Sequence, residues 1–275
     1  MLKSIALGGG GVRGCLLVGA LKALEDRQPL EFPDGIYGCS IGSILATMIA
    51  FRIPLKKIEE LVEEEFILSK FVPNFGISSV TSFTSKKGLF SMDLFEDTLI
   101  RVFKSAGIDL KDKVIADAPQ KLYIMASNLT TRRATLLTGQ IPLLAAIKAS
   151  SCIPAVFYPQ IILNNVYLDG GVYCDCMVDA VPPTTIVLHI AYSHQPIFPA
   201  DLESMTLATI SRYVYAGARV GCVPRPKNVL NLNETSFMPL SDLTLADKKA
   251  MIDSGFVQAS RFLSKRFLQE CFQVS

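Results

Sequence analysis

The chain has only two histidines, His189 and His194. It has no block of like charge longer than three residues, no long apolar run and no paired cysteine framework. Each shortage narrows the function. With 27 basic and 25 acidic residues the net charge is +2, too small for a nucleic-acid footprint, so no nucleic-acid partner is expected. The longest apolar stretch, "IGSILATMIAF" at 41–51, falls well short of the ~18 residues of a spanning helix. The apolar opening after Lys3 is broken by glycines and Arg13, with no clean cleavage site behind it, which argues against a signal peptide. Seven cysteines are an odd number, and Cys174 and Cys176 have no second pair or histidine cluster at zinc spacing. They read as reduced, packed cysteines of an intracellular, cytoplasmic protein. No D-x-D-x-D-G calcium loop occurs, and no metal is expected.

What is present is apolar. Half the residues are hydrophobic and only 19% are charged. Mean hydropathy is +0.36. Such a chain buries a sizeable core. Strands are expected at 2–7, 35–39, 184–192 and 228–232, with a pair or hairpin over 121–139 and strand pieces around Asn164 and Asn165. Helices are expected at 12–26, 41–52, 55–65, 91–106 with Ser91 as N-cap, 141–151, 201–219 and 242–270. The alternation argues for one α/β domain over 1–275, with helices on both faces of a sheet.

Two glycine turns each follow a strand and precede a helix. "GGGVRG" (9–14) matches G-x-G-x-x-G, a dinucleotide pattern. That pattern needs an acidic residue at the end of the second strand, where Cys39 and Ser40 stand instead. The other reading is an oxyanion site: glycine N–H groups at a helix N-terminus favour negative charge. "GCSIG" (38–42) is G-x-S-x-G, a nucleophile elbow, with Ser40 between a strand and a buried helix.

A serine nucleophile needs a base. The order Ser40, Asp169, His194 fits a Ser-Asp-His triad. His189 lies inside an apolar strand and reads as a sheet residue. "LDGG" (168–171) puts Asp169 at a strand end before a turn, as a second candidate.

Taken together, the blocks resemble the patatin-like phospholipases. "GGGVRG" at 9–14, "GCSIG" at 38–42, "ASSCIP" at 149–154 and "DGG" at 169–171 occur in that family's order, and "KKGLFSMDLFEDTL" (86–99) resembles its helix leading back to the sheet. The resemblance covers about 1–185, with a helical part at about 200–270 beyond it. It implies a three-layer α/β/α fold with a central, mostly parallel sheet and helices on both faces. It implies a lipid acyl hydrolase of phospholipase A type, acting on phospholipid or another acyl lipid without a cofactor. Ser40 would be the nucleophile and Asp169 the proton acceptor. Gly9, Gly10 and Gly11 would form the oxyanion hole, supported by Arg13, Gly14, Gly38, Gly42, Gly170 and Gly171. A general serine esterase or thioesterase with the triad is the alternative. Two positions depart from the family's habit: Gly8, where many members carry aspartate, and Cys174-Asp175-Cys176, where asparagines are common. The Ser-, Thr- and Phe-rich stretch 66–90 has two readings. It covers a lipid groove or makes peripheral membrane contact, with Lys86 and Lys87 toward anionic headgroups, or its phenylalanines tuck into the core.

Overall fold

The computed structural model describes residues 1–73, 85–174, 176–192, 228–234 and 243–273. Its centre is a mixed sheet. Strands β1 (Ser4–Leu7), β2 (Gly35–Cys39), β4 (Leu122–Asn128), β9 (Ile186–Tyr192) and β10 (Val229–Glu234) run parallel, in the order β10-β9-β1-β2-β4. β5 (Arg133–Leu137) and β8 (Asn165–Asp169) pair antiparallel with β4, and β7 (Gln160–Ile162) pairs antiparallel with β8 at the sheet edge. A separate small ladder joins β3 (Gly88–Phe90) to β6 (Ala155–Phe157). β1 and β2 are buried at every position, as expected for parallel strands covered on both faces and written as near-continuous apolar runs.

One face packs against α1 (Gly14–Glu25) and α2 (Ile41–Ala50), with α3 (Leu55–Glu65), α4 (Asp93–Ser105), α5 (Leu143–Ser150) and α6 (Leu245–Gln273) in the same core. α2 is buried along nearly its whole length, and its hydroxyls are satisfied internally: Ser43 Oγ donates to the Ser40 carbonyl and Thr47 Oγ1 to the Ser43 carbonyl. Met251, Ile252 and Ala259 of α6 join the core of β1 and α1. The buried Lys248 ammonium caps α3, donating to the carbonyls of Val62 and Glu63. On the other face, Ala6, Tyr37, Cys39, Met125 and Val187 pack against Cys174, Met177 and Val181 in the turns after β8. The helix expected at 201–219 lies outside the described residues, as do His194 and Asp175. No helix among the described residues is long and apolar enough to cross a membrane.

The expected boundaries hold closely for β2 and α3. One cap differs. α4 begins at Asp93 behind Met92, and Ser91 Oγ donates to Asp93 Oδ2 at 2.7 Å instead of capping the helix. The helix starts one residue later than expected, so Met92 holds the N-cap position and Ser91 stands outside it.

Candidate active site

The elbow comes first. β2 ends at Cys39 and α2 starts at Ile41, so Ser40 alone turns the chain. It does so at φ +54° and ψ −127°, a conformation that costs a non-glycine residue roughly 1–3 kcal/mol. Neighbours hold it there. The Ser40 N–H donates to Ser150 Oγ at 2.8 Å, and Ser150 Oγ donates in turn to the Met125 carbonyl at 2.6 Å. The Ser40 carbonyl accepts from Ser43 N–H and Oγ. A side chain at position 42 would overlap the carbonyl oxygens of Leu7 and Gly8, so glycine is required for α2 to start this close to β1.

The glycine loop lies alongside. Gly8 N–H extends the ladder to the Leu188 carbonyl at 2.9 Å. Gly9 follows, and a Cβ on it would sit 3.2 Å from Ser40 Cβ. Gly10 backs onto the Ile190 side chain. Gly11–Arg13 then form a half-buried 3-10 turn that leads into α1, with Gly11 at φ +57°. The N-termini of α1 and α2 converge: a Cβ on Gly14 would meet Ile41 Cγ1 at 2.5 Å. Two positive dipole ends and a run of glycine N–H groups therefore border Ser40.

Asp169 arrives from the opposite direction. β5 takes one edge of β4, pairing Ile124–Asn128. The other edge is shared end to end, with β2 parallel beside Leu122–Met125 and β8 antiparallel beside Ala126–Asn128. The carboxyl ends of β2 and β8 thus meet head to head, Cys39 opposite Met125 and Asp169 opposite Ala126. The Asp-Gly-Gly turn is fastened there. Asp169 N–H donates to the Cys152 carbonyl at 2.8 Å, and Asp169 Oδ1 accepts from Gly171 N–H at 2.8 Å. Gly170 presses on Cys39, where a Cβ would lie 2.7 Å from Sγ, and its carbonyl accepts from Ser127 Oγ. Asp169 is half-buried and Ser40 is 9% exposed.

Residues 5–182 match the model of the family described as "Patatin-like phospholipase". The chain belongs to the patatin-like phospholipase family. It is 27% identical over 188 residues to "Probable lipid hydrolase 463L" of Invertebrate iridescent virus 6, covering 64% of this chain and 62% of that protein. It is 27% identical over 176 residues to "Uncharacterized protein R571" of Acanthamoeba polyphaga mimivirus, covering 62% of this chain and 58% of that protein. The match thus spans about three fifths of these relatives' length. Among solved structures, VipD from Legionella pneumophila superposes with a TM-score of 0.63 at 14% identity, over 96% of this chain and 67% of that one. ExoU of the Pseudomonas aeruginosa type III secretion system, solved in complex with SpcU, gives 0.51 at 16% identity, over 96% and 52%. The patatin-like fold expected from the sequence is the fold found.

Beside Ser40 this patatin-like chain holds an apolar cavity of about 100 Å³. Gly11, Gly14, Ile41 and Ile44 border it at the elbow, and Phe71, Phe95 and Phe157 close its far side. Phe71 lies against Phe66 and Phe95, and Phe95 against Phe157 edge-on. Of the stretch 66–90, Phe66 and Phe71 line this cavity, and residues 74–84 lie outside the described residues. Cys15 also borders the cavity, but burial pushes its thiol up to about 11. Cys152 is pushed up to about 12 by burial and by the nearby Asp169 carboxylate. Both stay protonated at neutral pH, the unreactive form of a thiol.

His189 is buried within β9, opposite Asn231 of β10 and following Leu188, the acceptor of the Gly8 N–H. This agrees with a sheet residue. Sequence reasoning singled out the "ASSCIP" block but not what its members do. Ser150 holds the elbow, while Ser151 Oγ is buried at the cavity with no hydrogen-bond partner among the described residues. Among the described residues no group of three His, Cys, Asp or Glu forms a metal site.

Proposed function

We propose that this chain is a lipid acyl hydrolase of phospholipase A type, working through Ser40 and Asp169. The observation that carries the reading is the meeting of two strand ends on one edge of β4. It brings a strained serine and a carboxylate to the same end of the sheet, beside a cavity lined almost wholly by apolar residues. The family and the name of the viral relative, a probable lipid hydrolase, support the same class of reaction.

In this mechanism the part of the acyl chain next to the ester lies in the cavity and the ester carbonyl rests over Ser40. Ser40 Oγ attacks as its proton passes to Asp169. An isolated aspartate is a weak base, with a reference pKa of about 3.9, so transfer accompanies attack rather than preceding it. The tetrahedral oxygen takes its negative charge among the N–H groups of Gly9, Gly10 and Gly11, where the dipoles of α1 and α2 converge. Loss of one such donor typically costs roughly 10²–10³ in rate. The alcohol leaves with the proton, and water, activated by Asp169, cleaves the acyl-enzyme. No step draws on a metal or cofactor.

A fluorophosphonate probe tests the nucleophile. Labelling should map to Ser40, and Ser40→Ala should lose both labelling and release of fatty acid while keeping its far-ultraviolet circular dichroism. Labelling at another residue, or turnover in folded Ser40→Ala, would overturn the assignment.

A further inference from the structure

β7 and β8 are joined by two residues, Leu163 and Asn164, both at positive φ (+45° and +60°). This is the pattern of a type I′ hairpin, whose first position favours Asn, Asp or Gly. A leucine there is strained, and it is 79% exposed, so folding gains nothing from it. Ile161, on the strand leading to the turn, is 73% exposed. The neighbouring turn between β4 and β5 presents Arg132 and Arg133, both exposed and without an ion pair among the described residues. The two turns are stitched together. Leu129 N–H donates to the Val166 carbonyl, Val166 N–H to Thr130 Oγ1, and Asn128 Nδ2 to Asn165 Oδ1. There is no acidic residue between Asp117 and Asp169.

The orientation gives this patch meaning. β8 runs from the tip back to Asp169, and the tip lies on the side toward which β2 and β4 point. Four residues at ~3.3 Å per residue place Asn165 about 13 Å beyond Asp169. The hairpin therefore projects past the Ser40–Asp169 end of the sheet.

We propose that the β7–β8 tip and the β4–β5 turn dock the protein on an anionic lipid bilayer. Ile161 and Leu163 enter the boundary between headgroups and acyl chains, and Arg132 and Arg133 pair with anionic headgroups. Two protruding side chains are far too small for a specific protein interface, which buries upward of ~1,000 Å². An apolar tip flanked by cations suits a membrane interface. The docking does not depend on turnover, so it stands or falls separately from the hydrolase reading.

The test uses the full chain carrying Ser40→Ala, sedimented with phosphatidylcholine vesicles with or without phosphatidylserine. The parent should partition more strongly onto the phosphatidylserine vesicles. Arg132→Ala with Arg133→Ala should weaken that partitioning by about fivefold per arginine, or about thirtyfold together, and leave binding to phosphatidylcholine unchanged. Leu163→Asn, which suits the turn, should keep or raise the melting temperature yet lower partitioning onto both vesicles by about tenfold. Ile161→Asn should act in the same direction. Unchanged partitioning in these variants, or a parent chain that stays in the supernatant with both vesicles, would overturn the proposal.

Discussion

Ser150 Oγ accepts the Ser40 N–H at 2.8 Å and passes the constraint to β4 through the Met125 carbonyl. The strained elbow is thereby tied to the strand that also carries Asp169 on the same edge. Ser150→Ala strands two buried backbone groups, at about 1–3 kcal/mol. The melting temperature should fall by several degrees and kcat should fall with it. Ser151→Ala removes a buried hydroxyl that has no partner among the described residues, so its melting temperature should hold or rise slightly. Paired melting curves and initial rates distinguish the neighbours.

Glycines of the two turns should fail in different ways. A Cβ at Gly9 meets Ser40 Cβ at 3.2 Å and pushes on Ser40, whereas one at Gly42 overlaps the backbone of β1. Gly9→Ala should therefore fold with a near-native melting temperature and lose most of its kcat. Gly42→Ala should lose the cooperative melting transition itself. Reversed outcomes would make the first glycine loop structural.

The phenylalanine wall should set acyl-chain length. Phe71→Ala deepens the cavity at a stability cost of about 3–5 kcal/mol and should shift kcat/KM toward longer chains. Val72→Phe, at a half-buried lining position, should shift it toward shorter ones. A series of p-nitrophenyl esters reads both.

With thiols raised to about 11 and 12, Cys15 and Cys152 should resist iodoacetamide near neutral pH and react only on unfolding. Alkylation with and without denaturant, followed by peptide mass spectrometry, checks this. Rapid modification of Cys15 in the native protein would show the cavity to be wetter than its lining implies.

Local signals were legible in the sequence wherever chemistry and backbone demand coincide. Ser40 was found because G-x-S-x-G joins a five-residue apolar strand to an apolar helix, and that junction is where the structure places it. Strand pieces around Asn164 and Asn165, and a pair or hairpin over 121–139, were legible, though the hairpin that joins β7 to β8 was not. What the sequence hid is long-range. Nothing local says that β8 runs antiparallel into the edge that β2 vacates, which alone brings Asp169 toward the elbow. The cavity was hidden for the same reason: Gly11, Val62, Phe95 and Phe157 are apolar residues of four distant segments, alike in sequence to any core residue. Ser91 misled because a serine before a helix looks like a cap, while the pattern does not locate the helix start to the residue, here one position later.

The central claim is that Asp169, and no histidine, takes the serine proton. The most direct measurement is kcat on one acyl ester for two folded variants, Asp169→Asn and the double variant His189→Gln, His194→Gln. With the dyad at work, the amide cannot accept a proton, and Asp169→Asn loses about 10²–10⁴-fold. The histidine double variant then keeps kcat within a few-fold of the parent, roughly the range of small packing changes. A folded histidine double variant that loses its turnover would contradict the dyad, whatever Asp169→Asn does, because a triad needs its aspartate as well.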